Sequence, residues 1–162
     1  MMIFKRWSAI KRLRSTKLLV MDCDGTITDG ILPGKRFCTK DGCGIRLLKL
    51  EKAVVSGDEF DPEEIRARHL GINHLRLGAQ DKWKVVQELA DCLGINYKDI
   101  CYIGDDINDL ECIKKCGVGV AVGDAVREVK RAADITTRKA GGHGAIRELT
   151  DLIRSVQNES LH

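Results

Sequence analysis

The stretch Lys17-Leu-Leu-Val-Met-Asp22-Cys-Asp24-Gly25-Thr26 decides how the rest of the chain is read. Four consecutive apolar residues without polar alternation are the pattern of a strand covered on both faces, as in a parallel sheet packed between helices. Two aspartates two positions apart follow at once, and Gly25 frees the backbone to leave the extended state. A strand that runs straight into acids and a turn sets those acids at its carboxyl end, where open parallel sheets bind their ligands.

Similar runs recur outward from this one, at 53–55, 101–103 and 118–122, with weaker ones at 74–77 and 134–136. Helical patterns lie around them at 44–50, at 61–70 with Pro62 in the first turn, and at 81–93, 106–116, 125–132 and 145–156. Alternation of this kind predicts right-handed crossovers and an α/β, Rossmann-like three-layer sandwich with a mainly parallel sheet. The chain's 162 residues suit one domain, read as a basic N-terminal extension over 1–16, a single domain over 17–157 and a tail over 158–162. Internal repeats, low-complexity segments and linkers are absent from the sequence.

The composition, 43% hydrophobic and 31% charged, is that of a soluble globular protein and excludes disordered and collagen-like chains. Apolar runs such as Leu18 to Met21 fall far short of the roughly 20 residues that cross a bilayer, so no membrane partner is expected. The formal charge is +3, from 27 basic and 24 acidic residues. Lys5, Arg6, Lys11, Arg12, Arg14 and Lys17 all precede the first acid, and the remainder is −3, which gives no reason to expect a nucleic-acid partner. The basic start reads as a transit peptide, a phosphate-binding arm or the solvated face of a short helix, of which the last is favoured. The seven cysteines are odd in number and form no paired CxxC knuckles, which fits reduced thiols in the cytoplasm. Cys112 and Cys116 share a helical face but lack the second pair that a soft-metal site requires.

Chemistry gathers at the strand ends. The first strand is followed by Asp22 and Asp24, the second by Ser56-Gly57, and the fourth by Gly104-Asp105-Asp106-Ile-Asn-Asp109, while Lys82 opens the intervening helix. Carboxylates crowded into one pocket raise one another's pKa unless a cation neutralises them. Mg²⁺ suits such a pocket, because it takes about six oxygen ligands and is commonly held by one or two carboxylates with a substrate phosphate. The ion also screens an incoming phosphoryl group from the carboxylate that attacks it. Lys82 contributes charge to the phosphoryl oxygens, while Ser56 and the N–H groups near Gly57 contribute directional hydrogen bonds. In this arrangement Asp22 is the nucleophile, forming an aspartyl-phosphate. Asp24 is the general acid that protonates the leaving alkoxide and later activates water.

The series Asp22-x-Asp24-Gly-Thr, Ser56, Lys82 and Gly104-Asp105-Asp106-x-x-Asp109 resembles the four signature motifs of the haloacid dehalogenase-like phosphatases. Asp22 to Gly30, Thr39 to Ile45, Gly78 to Lys82 and Gly141 to Glu148 narrow the resemblance to the 3-deoxy-D-manno-octulosonate 8-phosphate phosphatases and their nonulosonate 9-phosphate relatives. The similarity spans roughly 15–156. It implies a domain without a large cap and a short β-hairpin flap, here 27–38, that covers the neighbouring subunit's site in a homotetramer. It also implies Mg²⁺ held by Asp22, the Asp24 carbonyl and Asp105, with Asp106 and Asp109 in support. Arg66 matches an arginine that contacts the sugar-acid phosphate in both groups, and a guanidinium suits its carboxylate. Asp58, the other candidate substrate residue, stands where octulosonate phosphatases usually carry an arginine and some nonulosonate 9-phosphate phosphatases an acid, and the flap looks several residues short.

Each motif also has a plain structural reading. Asp22 and Asp24 could cap a turn, Ser56-Gly57 could be an ordinary turn, Lys82 an exposed helix-start lysine, and Arg66 a partner in a surface i,i+4 pair. His143, in Gly-Gly-His-Gly, is read as turning the chain before the last helix. Order and number favour a shared pocket for the rest. A signalling receiver domain has comparable residues but places its phosphorylated aspartate at the third strand and its lysine at the fifth, an order this chain does not follow. A non-catalytic phosphatase-like oligomerisation module, associated with sialic-acid or octulosonate activation, is the alternative to the enzyme. Retention of both Asp22 and Asp24 argues against it.

Overall fold

Six parallel strands form the centre of this computed structural model, which describes residues 2–32, 34–58 and 69–157. They are β1 (Leu18–Met21), β2 (Glu51–Val55), β3 (His74–Arg76), β4 (Ile100–Gly104), β5 (Val118–Ala121) and β6 (Ile135–Thr136), in the order β3-β2-β1-β4-β5-β6. Every neighbouring pair is parallel. All residues of β1, β4 and β5 are buried, because helices cover both faces of the sheet.

Two helical layers provide that cover. One contains α1 (Met2–Leu13), α2 (Thr39–Leu47) and α6 (Ala145–Val156), with both α1 and α2 packed on α6. The other contains α3 (Lys82–Leu93), α4 (Leu110–Lys115) and α5 (Arg127–Ala132), packed in sequence against one another. Ile45, Ile146, Leu149 and Ile153 fill the core from the first layer, and Val86, Leu89, Ile113 and Val129 from the second. No helix among the described residues is long and apolar enough to cross a membrane.

The basic N-terminal segment is a helix whose solvated face carries part of its charge. Ala9 and Leu13 are buried, while Lys5 donates to the Ala132 and Ala133 carbonyls at 3.0 and 2.8 Å, closing the carboxyl end of α5. Arg12 pairs with Asp134 at 3.1 Å.

Some boundaries differ from those the sequence predicts. Helix α2 begins at Thr39 rather than 44, with Gly42 and Gly44 inside it. The gain is tertiary: a Cβ on Gly44 would strike Thr150 Oγ1 and lie 3.0 Å from Arg147 Cδ, so glycine is what lets α2 lie against α6. Asp41 on α2 in turn accepts from the Gly144 and Arg147 amides at 3.1 and 2.7 Å, serving the exposed N–H groups at the start of α6. The helix predicted at 106–116 is a 3₁₀ turn, Ile107–Asp109, continued by α4. That predicted at 61–70 falls, apart from its last two residues, outside the described residues, as does Arg66. Among its described residues the flap over 27–38 is closed by one antiparallel bridge, Thr28 to Phe37. Its shortness leaves no room for a ladder, and Asp29 Oδ1 braces it by accepting from the Ile31 and Arg36 amides.

Candidate active site

Register places the motif residues. Met21 pairs with Val54 on one side and Ile103 on the other, so the chain beyond β1 emerges level with the ends of β2 and β4. This is where the strand order changes direction, and successive crossovers leave a crevice. Asp22 follows β1 directly, its amide bonded to the Ile103 carbonyl at 3.0 Å. A wide turn over Cys23–Ile27 comes next, closed by the Thr28 amide on the Cys23 carbonyl, with Asp24 extended and Gly25 left-handed at φ 76°. A Cβ on Gly25 would run into the Asp105 carboxylate, so this glycine allows the first and last motifs to touch. Asp106 and Asp109 form a reciprocal capping box around the 3₁₀ turn after β4.

Behind the crevice lies a buried charge cluster. The Lys82 ammonium donates to Asp22 Oδ1 at 2.5 Å and to Asp109 Oδ1 at 2.7 Å, and all three side chains are at most 6% exposed. Tyr102 Oη donates to the same Asp109 oxygen at 2.6 Å, while Asp109 Oδ2 accepts from the Asp105 and Asp106 amides at 3.0 and 3.2 Å. Thr26 Oγ1 donates to Asp105 Oδ1 at 3.2 Å. Burial pushes the Asp22 carboxyl well above the usual range, Asp109's charge adds to the rise, and Lys82 only partly offsets them. Asp105 is raised as well, by burial and then by Asp109. Burial alone would lower Lys82, but Asp22 and Asp109 outweigh it and hold the ammonium charged.

One ammonium among three carboxylates leaves an excess of negative charge. Asp22, Asp105 and Asp109 each offer an oxygen within 4.8 Å of the others, an all-oxygen set of the kind hard divalent cations take. Asp109, however, already accepts four hydrogen bonds. Asp22 and Asp105 therefore face the open side, and Asp109 holds Lys82 and the 105–106 backbone in place.

The crevice is a cavity of about 410 Å³ bordered by Asp22, Asp24, Ser56, Gly57, Asp58 and Asp105, with Asp106 on its rim. The structure thus gathers all the described residues that the sequence assigns to the site. Ser56 Oγ accepts from the Asp58 amide at 3.2 Å. Asp24 accepts from Thr28 Oγ1 at 3.3 Å and from Lys35 at 2.7 Å. His143 turns back on its own loop, Nδ1 lying 2.7 Å from the Gly141 carbonyl.

Three residues of the site carried no sequence signal strong enough to single them out. Tyr102 reads as one more core residue of a buried strand. Lys35 lies in a flap without periodicity. Asp124, which lines the cavity and accepts from the Gly141 amide at 2.9 Å, stands alone after β5. Its position at a strand's carboxyl end was the available clue.

Comparisons with known proteins agree with this geometry. The family described as haloacid dehalogenase-like hydrolase matches residues 61–149. The 3-deoxy-D-manno-octulosonate 8-phosphate phosphatase KdsC of Escherichia coli (strain K12) is 35% identical over 160 residues, covering 93% of this chain and 85% of the relative. The crystal structure of the phosphatase of that name from Moraxella catarrhalis, in complex with a magnesium ion, a phosphate ion and a KDO molecule, superposes with a TM-score of 0.89 at 34% identity. That match covers 93% of this chain and 92% of the other. The cobalt-bound phosphatase from Haemophilus influenzae gives a TM-score of 0.88 at 35% identity, over 92% and 93% of the two chains. With this extent of likeness in sequence and in fold, the chain belongs to the haloacid dehalogenase-like hydrolases, in the branch that contains the octulosonate 8-phosphate phosphatases.

Proposed function

We propose that the protein is a Mg²⁺-dependent phosphomonoesterase that hydrolyses 3-deoxy-D-manno-octulosonate 8-phosphate. The observation that carries this reading is the buried cluster in which Asp22 and Asp105 face a cavity while a single lysine, paired with Asp22 and Asp109, neutralises only part of the cluster's charge. Asp22, the Asp24 carbonyl and Asp105 would hold the metal, with Asp109 behind them. Bound there, Mg²⁺ supplies positive charge that lets an anionic phosphate approach an anionic nucleophile.

The chain's own residues do the rest. Asp22 attacks phosphorus as the bond to the sugar oxygen breaks, giving an aspartyl-phosphate. Asp24 donates its proton to the departing alkoxide and then takes one from the water that hydrolyses the acyl phosphate. Lys82, Ser56 Oγ and the Gly57 amide orient the phosphoryl oxygens.

Phosphate release from octulosonate 8-phosphate, measured with Mg²⁺ and with EDTA, tests the proposal, and nonulosonate 9-phosphates enter the same assay. Activity is expected with the metal and not with the chelator. Asp22→Asn should abolish turnover, and Asp24→Asn should retain metal while losing about 10²–10⁴ in rate. Normal turnover by Asp22→Asn would remove the covalent route.

We read the enzyme as a cytoplasmic homotetramer. Cys38, Cys43, Cys92, Cys101, Cys112 and Cys116 are free thiols, which supports a reducing compartment. Ile31 and Leu32 at the flap tip are 63% and 75% exposed, apolar surface that a neighbouring subunit would cover. Light scattering in solution tests the assembly.

A further inference from the structure

The flap carries a cation that the chemistry above does not use. Lys35 Nζ donates to Asp24 Oδ2 at 2.7 Å and to Asp58 Oδ2 at 3.0 Å, bridging two carboxylates at the cavity mouth. Its position is fixed from its own chain: the Thr28 to Phe37 bridge closes the flap, and Asp29 Oδ1 holds the Ile31 and Arg36 amides on either side. The Lys35 side chain is only 18% exposed.

The surroundings give that ammonium a task. Among the described residues seven aspartates line the cavity, Asp22, Asp24, Asp29, Asp58, Asp105, Asp106 and Asp124, and no cationic side chain does. Lys82, paired with Asp22 and Asp109, serves the phosphoryl end of the site. A substrate with a second anionic group beside its phosphate would therefore meet carboxylates at the mouth, and Lys35 is the cation there among the described residues. Its two bonds are unequal in setting. Asp24 is 33% exposed and also bonded to Thr28, whereas the Asp58 side chain is 57% exposed and easily rehydrated. Exchanging Asp58 for another carboxylate leaves the ammonium paired and the count of charges at Lys35 unchanged.

We propose that Lys35 is a specificity-determining residue that receives the carboxylate of a sugar-acid phosphate, and that Asp58 occupies that place until the substrate displaces it. The inference rests on the phosphatase reading above. A phosphomonoester without an acid group offers Lys35 nothing in exchange for Asp58, so selection for acidic substrates follows from the exchange.

The test compares two ligands of the same site: free octulosonate, which carries the carboxylate, and inorganic phosphate, which does not, as inhibitors of octulosonate 8-phosphate hydrolysis. Lys35→Met should raise both the KM and the octulosonate inhibition constant about tenfold or more, the scale of one charge-assisted hydrogen bond, and should move the phosphate constant much less. Lys35→Arg should restore most of the lost affinity. Asp58→Asn should lower the octulosonate constant relative to the phosphate constant, because the competitor for Lys35 is gone. Should Lys35→Met lower kcat while leaving KM and the octulosonate constant alone, Lys35 only positions Asp24 and the assignment fails. Should Asp58→Asn weaken octulosonate binding, the displacement fails. A wild-type protein inert toward octulosonate 8-phosphate would overturn the functional reading and the assignment together, which separates that outcome from the others.

Discussion

Asp109 shows how a single residue can be indispensable to a site without facing its ligand. Its two oxygens accept from Lys82, Tyr102 and the amides of Asp105 and Asp106, so it ties a strand, a helix start and a loop to one point. Tyr102 is the partner whose loss isolates this structural task, because its hydroxyl joins the cluster through Asp109. Tyr102→Phe removes one donor from a buried carboxylate and should cost about 1–3 kcal/mol in urea unfolding. The kcat should fall less than tenfold, since Lys82 and both amides still hold Asp109. A loss of a thousandfold in kcat with unchanged stability would instead give the hydroxyl a direct part in the chemistry.

Among the elements, the flap depends on one carboxylate. The Arg36 and Ile31 amides hold the Asp29 carboxyl below its ordinary value of 3.8. A carboxyl whose pKa is depressed on folding contributes stability that is present above the unfolded value and lost as pH falls through the folded one. The amide proton shifts of Ile31 and Arg36 should accordingly titrate together with a midpoint below 3.8, and Asp29→Asn should abolish the step while keeping an acceptor oxygen. A midpoint at or above the ordinary value would mean that the turn is not braced by Asp29. The flap also marks the limit of what the sequence makes legible. Buried strands declare themselves as unbroken apolar runs, and acids immediately after them declare the site, so β1, β4 and the residues Asp22, Asp24, Lys82 and Asp105 could be placed by local pattern and order. Lys35 and Tyr102 could not, because their roles depend on partners 11 and 7 positions away that only the fold brings within reach. The early start of α2 was hidden for the same reason, since the merit of Gly44 lies in the helix it meets, not in its own propensity.

For the molecule as a whole, the site is stability set aside for binding. The folded chain holds Asp22 and Asp105 in surroundings that raise their pKa, burial being the larger cause for each, whereas the unfolded chain leaves both in water. A divalent cation that binds the folded state and not the unfolded one reverses this deficit by mass action, giving about 2.7 kcal/mol when present at a hundred times its dissociation constant. In a domain of this size each kcal/mol moves Tm by roughly 2–4 °C, so saturating Mg²⁺ should raise Tm by about 5–10 °C. Asp105→Asn separates the two halves of the argument. The asparagine keeps an oxygen for Thr26 but removes a charge from the cluster, so the metal-free variant should melt higher than the metal-free wild type. The same change removes a ligand, so the rise on adding Mg²⁺ should largely vanish. Differential scanning calorimetry of both proteins, with EDTA and with Mg²⁺, reads the two signs directly. A variant that melts lower without metal, or that gains as much from Mg²⁺ as the wild type does, would show that Asp105 is not among the ion's ligands.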